Sequence, residues 1–453
     1  MLFCDGAGGD IAKRKRTESI VHRKEERTVN KIFRRTEKSQ YKRPGWMSPV
    51  LRAWNQAFRN AADSRFRLSG RTALPVTVLL ICLLLTACSF HREDSANSVQ
   101  SPTKSEEFSA AVFYYDYSDS FISELRADLT EGLVKAGIAY SEYDAESDQS
   151  KQNTQIENAI DRGADLLIVN IVNSGSSDTS DAICLKADRK NIPVIFFNRA
   201  IEADGDEGVV LNYYENIAFV GTDPAEAGHM QGSMIGEYLK EYYSKVDLNR
   251  DGVISYALFK GEAKNVEAIY RTKYSVEDAN EILVKAGYPE LQYFNSASVD
   301  NFQLDLTGKW SFNAARDYMM TNLSQYNLTN KNMIELIICN NDNMAAGAIS
   351  ALQDVDLNLG KTSNSITIPV FGVDATETGK NLIAEGCMTG TIIQSTEEMA
   401  KCICLLAKNA AWGEDLFAGT EEYMRDTKNG LDRKIYLPYD IYDPADEEMK
   451  EGQ

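Results

Sequence analysis

The sequence predicts an α/β protein made of two doubly wound parallel-sheet domains, and three observations lead there. From Phe108 onward, short apolar runs alternate with amphipathic stretches, as repeated strand–helix units require. The alternation pauses once, around VGTDPAEAG at 220–228, and so falls into two clusters. Polar residues gather just after the apolar runs, at the carboxyl ends of strands, where open parallel sheets bind their ligands.

The chain has 453 residues, enough for two or three domains. Its formal charge of −19 averages over two unlike parts. Residues 1–87 carry 18 Lys/Arg against 7 Asp/Glu, a net of +11, and the remainder carries 30 against 60, a net of −30. An acidic body argues against nucleic acid as a partner. The uncharged run ALPVTVLLICLLLTAC at 73–88 is too short to span a bilayer comfortably and suits the apolar core of an export signal. Leu85-Thr86-Ala87-Cys88 at its end is similar to a bacterial lipobox, which implies lipidation of Cys88 and attachment to a membrane through that anchor. Residues 89–107 then read as a polar tether. The basic extension 1–72 is assigned no function, and Met47 is an internal candidate start.

In the first cluster, AAVFYY (110–115), DLLIVNIV (165–172) and IPVIFFN (192–198) read as buried parallel strands. Between them, apolar residues at helical spacing lead to Gly137 and Gly163, both good helix stops. Asp223-Pro224 reads as the cap and first position of a helix. Strand-like runs resume at 253–259, 334–339, 366–373 and 388–393. The five cysteines beyond the leader (Cys184, Cys339, Cys387, Cys402, Cys404) are odd in number and lie in apolar contexts without metal-ligand spacing, so they read as buried free thiols.

The strand ends offer a short polar list: Asp119 and Phe121, Asn198, Arg271 beyond Lys260-Gly261-Glu262, Asn341, Asp374 and Gln394, with Trp310 as a further flat apolar face. Carboxylates, carboxamides and an arginine supply the acceptors and donors needed to read the hydroxyls of a small polar ligand. Any single one of them also reads as a helix N-cap; spread over two domains, they read better as a cleft. Catalysis is not indicated: the body has only His91 and His229, no G-x-S-x-G, no P-loop and no dinucleotide fingerprint.

DLNRDGVIS, from Asp247, spaces Asp247, Asn249 and Asp251 before Gly252 like the first half of an EF-hand loop, yet the twelfth position is Leu258 instead of glutamate. Together with DQSKQNTQIENAI, IPVIFFN, NNDNMAAGAISAL and PVFGVDA, in that relation and order, this loop resembles the periplasmic galactose/glucose-binding proteins of ABC sugar importers over about Phe108–Tyr442. The resemblance implies a type I periplasmic-binding fold whose two domains, 108–221 with 395–437 and 222–394 with 438–446, are joined by three crossovers near Gly221-Thr222-Asp223, Ile393-Gln394-Ser395 and Tyr436-Leu437-Pro438. It implies a structural calcium ion held by Asp247, Asn249, Asp251, the Val253 carbonyl and Glu335, with Ser255 where the family has a longer ligand. It also implies that Asp119, Asn198, Arg271, Asn341, Asp374 and Gln394 hydrogen-bond a monosaccharide while Phe121 stacks on it.

Three departures bear on which sugar. Asn265 stands where the family has histidine, and Glu267 where it has aspartate. The stacking tryptophan is displaced by an added stretch, SVDNFQLDLTGK; counting back from the helix ARDYM places Trp310 in the cleft, with Val299 as the alternative. The function expected is capture of a monosaccharide by a monomeric extracytoplasmic lipoprotein and its delivery to an ABC permease. A lipoprotein presenting the sugar to a membrane chemoreceptor or histidine kinase is the alternative.

Overall fold

The computed structural model describes residues 108–203, 205–427 and 430–445. Cys88, the basic extension and the tether lie outside those residues. Among the described residues, no helix is long and apolar enough to cross a membrane.

The first lobe is built on β1 (Ser109–Tyr114), β2 (Ala139–Asp144), β3 (Leu166–Val169), β4 (Val194–Phe197) and β5 (Ile217–Gly221), all parallel neighbours in the order β5-β4-β3-β1-β2. The sequence shows why. Val112, Tyr114, Ile168, Ile195 and Phe197 bury against helices Ser120–Ala136 and Thr396–Trp412, while the alternating Ala111, Phe113, Val169, Val194 and Phe196 bury on the other face. Both faces of the central strands β1, β3 and β4 are thus covered, as in a parallel sheet sandwiched by helices. Helix Ser120–Ala136 stops at Gly137, whose φ of 69° is the left-handed geometry a C-terminal cap needs.

The second lobe repeats the logic with β6 (Ser255–Lys260), β7 (Gln292–Tyr293), β8 (Gln303–Leu304), β9 (Leu336–Cys339) and β10 (Val370–Phe371). Its order is β10-β9-β6, with β7 and β8 pairing successive parts of the far edge of β6. Helix Glu226–Val246 lies against helix Val266–Lys285 at very close range. A Cβ on Gly228 would sit 2.5 Å from the Tyr270 carbonyl oxygen, and one on Gly232 would sit 2.4 Å from that of Tyr274. These glycines fix the helix that carries Arg271. The start of Glu226–Val246 differs from the sequence expectation: Asp223 accepts from the Ala225 amide (2.9 Å) inside a turn, and the helix begins only after it, without a side-chain cap.

The lobes are linked where β5 leaves the first sheet, where β11 (Ile392–Ile393) leads into helix Thr396–Trp412, and where β13 (Leu431–Tyr436) leads to β14 (Asp440–Ile441). β13 pairs parallel with β5 and antiparallel with β12 (Met424–Asp426), so the first lobe is completed by residues more than 200 positions downstream. β11 and β14 pair antiparallel, Ile392 with Ile441 and Ile393 with Asp440, tying two of the links into one ribbon.

Candidate ligand cleft

Helix starts and strand ends assemble the site. Asp119, Asn265 and Asn341 are the N-caps of helices Ser120–Ala136, Val266–Lys285 and Asp342–Gln353, their oxygens accepting from Ile122 (3.2 Å), Ala268 (2.8 Å) and Met344 (3.0 Å). A cap requires a short oxygen-bearing side chain just after a strand, and the same placement puts each residue on the cleft. Asn198 follows β4, and Asp374 follows β10 with its backbone bridged to Ile393, so its amide donates to the Ile392 carbonyl (2.7 Å). Asn198, Trp310 and Asp374 have φ of 61°, 54° and 110°. Non-glycine residues held there carry strain that the surrounding structure must impose, a frequent property of ligand sites.

These residues line one cavity, together with Phe121, Glu267, Arg271 and Gln394. The structure also adds Tyr115 and Arg199. Trp310 is buried and Val299 is 96% exposed, so the tryptophan is the one that faces the cleft. The added stretch seats it. Asp305, itself buried, accepts from the amide and hydroxyl of both Thr307 and Ser311, closing the segment around Trp310. Gly261 is obligatory beneath the ring, since a Cβ there would lie 2.1 Å from the indole.

The cavity is short of partners. Arg271 spends one terminal nitrogen on the Asn340 carbonyl (2.9 Å) and Asp374 (3.3 Å), and the other on Gln394 Oε1 (2.9 Å) and the Tyr439 hydroxyl (3.0 Å). Its Nε–H is buried without a partner, as are Glu267 Oε2, Gln394 Nε2 and Trp310 Nε1. Three donors and one acceptor therefore converge unsatisfied, a state that costs about 1–3 kcal/mol for each group unless a ligand completes it. Burial pushes the Glu267 and Asp119 carboxyls above the ordinary range, against the pull of nearby arginines and hydrogen bonds. Asp374 is likewise raised, by burial first, and the Arg271 guanidinium only partly offsets it.

Side chains from both lobes meet at the mouth. Arg199 Nη2 donates to Glu262 (2.7 Å), Lys309 of the added stretch pairs with Asp116 (2.9 Å), and the Glu377 amide donates to Glu124 (3.2 Å). The two lobes are thus in contact beside the cavity. In each of the two ion pairs one partner is buried, Arg199 in the first and Asp116 in the second.

The loop from Asp247 is organised differently. Glu335, although 80 or more residues away, lies against it, its Oε1 accepting from Leu248 (2.7 Å) and Asn249 (3.0 Å) and its Oε2 from Ser255 (3.1 Å). Asn249 accepts from the Asp251 amide, Asp251 from the Val253 amide and Asp247 Oδ2 from the Gly252 amide. Only Asp247 Oδ1 is buried without a partner. The donor set is all hard oxygen, which suits calcium. Ser255 departs from its expected role: its hydroxyl is bonded to the Met333 carbonyl and so is turned to another use. Among the described residues, no three of His, Cys, Asp and Glu are grouped closely enough to hold a metal ion by themselves. A cation here would rely on carboxamide and main-chain oxygens as well.

Residues 110–415 match the periplasmic binding protein domain. The chain is 33% identical over 331 residues to the D-galactose/methyl-galactoside binding periplasmic protein of Haemophilus influenzae, covering 72% of this chain and 87% of that one. It is 24% identical to the ribose import binding protein of Bacillus subtilis, covering 77% and 94%. Among solved structures, an ABC transporter solute-binding protein from Bacillus halodurans with bound myo-inositol superimposes with a TM-score of 0.55 at 23% identity, covering 76% of this chain and 98% of that one. Another from Clostridium phytofermentans with bound β-D-glucose gives 0.56 at 19%, covering 76% and 96%. These last two speak to the fold, which is the type I periplasmic-binding fold. The relatives are solute-binding proteins, and the chain is a binding protein, not an enzyme. It belongs to the periplasmic binding protein family and works outside the cytoplasm.

Proposed function

We propose that the protein captures a single monosaccharide, galactose, glucose or a methyl galactoside, and delivers it to an ABC importer. The observation that carries this reading is the set of four buried, unpartnered polar groups on residues that line one cavity: Arg271 Nε, Gln394 Nε2, Trp310 Nε1 and Glu267 Oε2. A sugar hydroxyl both donates and accepts, so a polyol can meet three donors and an acceptor at once, while the Phe121 and Trp310 rings suit the C–H faces of a pyranose. Asp119, Asn198, Asn265, Glu267, Arg271, Asn341, Asp374 and Gln394 are the hydrogen-bonding side chains of this reading. The ligand bridges both lobes and so favours the closed state. Anchoring through a lipid on Cys88 and a monomeric state belong to the same reading, on the strength of the sequence.

The loop at Asp247 is proposed to take a calcium ion held by Asp247, Asn249, Asp251, the Val253 carbonyl and Glu335, with the unpartnered Asp247 Oδ1 as the observation in favour. When bound, the ion supplies charge compensation and cross-linking of the loop and no chemistry.

The test is a thermal-shift panel on residues 89–453 with D-galactose, D-glucose, methyl β-D-galactoside, D-ribose and D-xylose. A sugar at 100 times its dissociation constant stabilises by about 2.7 kcal/mol. A shift with galactose, glucose or the galactoside supports the reading. A shift with a pentose alone moves the specificity elsewhere, and no shift with any of them sinks the monosaccharide assignment.

A further inference from the structure

We propose that Tyr439 is a positioning residue through which occupancy of the cavity is felt at all three lobe links. Tyr439 does not line the cavity. It sits just past the third link, buried, and its hydroxyl accepts from Arg271 Nη2 (3.0 Å) and from Thr222 Oγ1 (2.8 Å), a residue of the first link that is itself buried. The same Nη2 donates to Gln394, on the second link (2.9 Å). One guanidinium, directly or through one hydroxyl, therefore holds the three strands that pass between the lobes.

The geometry assigns a direction to the coupling. Four of the five N–H groups of Arg271 are committed to protein, and the fifth, Nε–H, is left for the cavity. A ligand atom accepting from Nε fixes the guanidinium plane, and the plane fixes where Gln394 and Tyr439 stand. Because the guanidinium is rigid and planar, tilting it on one edge disturbs the bonds on the other. This inference rests on the reading of Arg271 as a ligand contact, but its hinge component does not depend on which sugar binds.

The experiment compares the parent with Tyr439→Phe, Thr222→Val and the double variant, with two readouts. Small-angle X-ray scattering of the ligand-free proteins reports the lobe arrangement. Stopped-flow tryptophan fluorescence with D-galactose and D-glucose reports binding rates. Tyr439→Phe is expected to change the ligand-free scattering profile and to weaken sugar binding about tenfold, the scale of one lost hydrogen bond to a charged group, with the change in the dissociation rate. The double variant is expected to match Tyr439→Phe alone, since both remove one relay. Melting temperatures recorded alongside separate this from simple destabilisation, which would lower stability without moving the dissociation rate. A scattering profile and dissociation rate like the parent's, or strictly additive effects of the two substitutions, overturns the proposal. If the parent binds neither sugar, the monosaccharide reading fails, and the scattering comparison alone still decides whether Tyr439 couples the links.

Discussion

The sugar cavity and the Asp247 loop are both polar, both acidic and both assembled from residues far apart in the chain, yet they are finished to different degrees. In the loop, Glu335 and the aspartates are matched to main-chain amides, and one oxygen is left over. In the cavity, four buried groups are left over within one small volume, and two of them belong to a charged pair or an ionisable side chain. Buried polar groups are normally paired, so the leftover count measures how much each place waits for something else. The cavity depends on its ligand, whereas the loop is largely closed by protein.

That contrast orders the expected effects. Asp374→Ala removes a carboxylate facing the cavity and the partner of Arg271, and should weaken sugar binding by about a hundredfold, from the 1.5–3 kcal/mol typical of a hydrogen bond to a charged group. Calorimetric titration checks it, and unchanged affinity would remove Asp374 from the site. Glu267→Gln keeps the shape and replaces one carboxyl oxygen with an amide nitrogen. A loss of about tenfold is expected, and a gain for any sugar in the panel would instead identify the hydroxyl that Glu267 reads.

Acidity should separate the two states of the protein. Burial raises Asp119, Glu267 and Asp374 above their unfolded values. A carboxyl raised on folding contributes stability that is fully present below its unfolded pKa and is lost as pH rises through the folded value. The ligand-free protein should therefore gain melting temperature as pH falls from neutral, with a shallower slope in Asp374→Asn. Sugar affinity should move the other way, because protonation removes the charge that strengthens hydroxyl binding. Parallel trends in the two measurements would break the comparison. The smallest effect belongs to the loop: calcium added after chelation should raise the melting temperature by roughly 2–4 °C, and Asp251→Ala should abolish the increment without altering sugar affinity.

Much of the site was legible because its residues have local reasons to be where they are. Asp119, Asn265 and Asn341 cap helices, and a cap after an apolar run can be read from a few residues. The pairing of Glu335 with the Asp247 loop, by contrast, came through family resemblance, since nothing within either segment points to the other. Tyr115 and Tyr439 were missed, and Arg199 was read only as the end of its strand, for the related reason that their roles exist only across the fold: Arg199 stacks its guanidinium over the Tyr115 ring at 4.1 Å while reaching Glu262 in the other lobe. Trp310 was legible by counting back from the helix that follows it, and the structure puts it on the cavity because the inserted segment is closed by Asp305 and leaves Val299 in solvent. Strand lengths erred where apolar runs exceed the pairing: 366–373 is apolar for most of its length, but only Val370–Phe371 pairs as β10. β2 and β13 escaped notice because their faces are only partly covered and carry many polar residues.

The most direct test of the account is a crystal structure of residues 89–453 grown with the sugar that gives the largest thermal shift. One monosaccharide is expected in the cavity, with oxygens within hydrogen-bond reach of Arg271 Nε, Gln394 Nε2 and Trp310 Nε1 and a hydroxyl donating to Glu267 Oε2. A sugar bound elsewhere, or one seated in the cavity that leaves those four groups without partners, would contradict it.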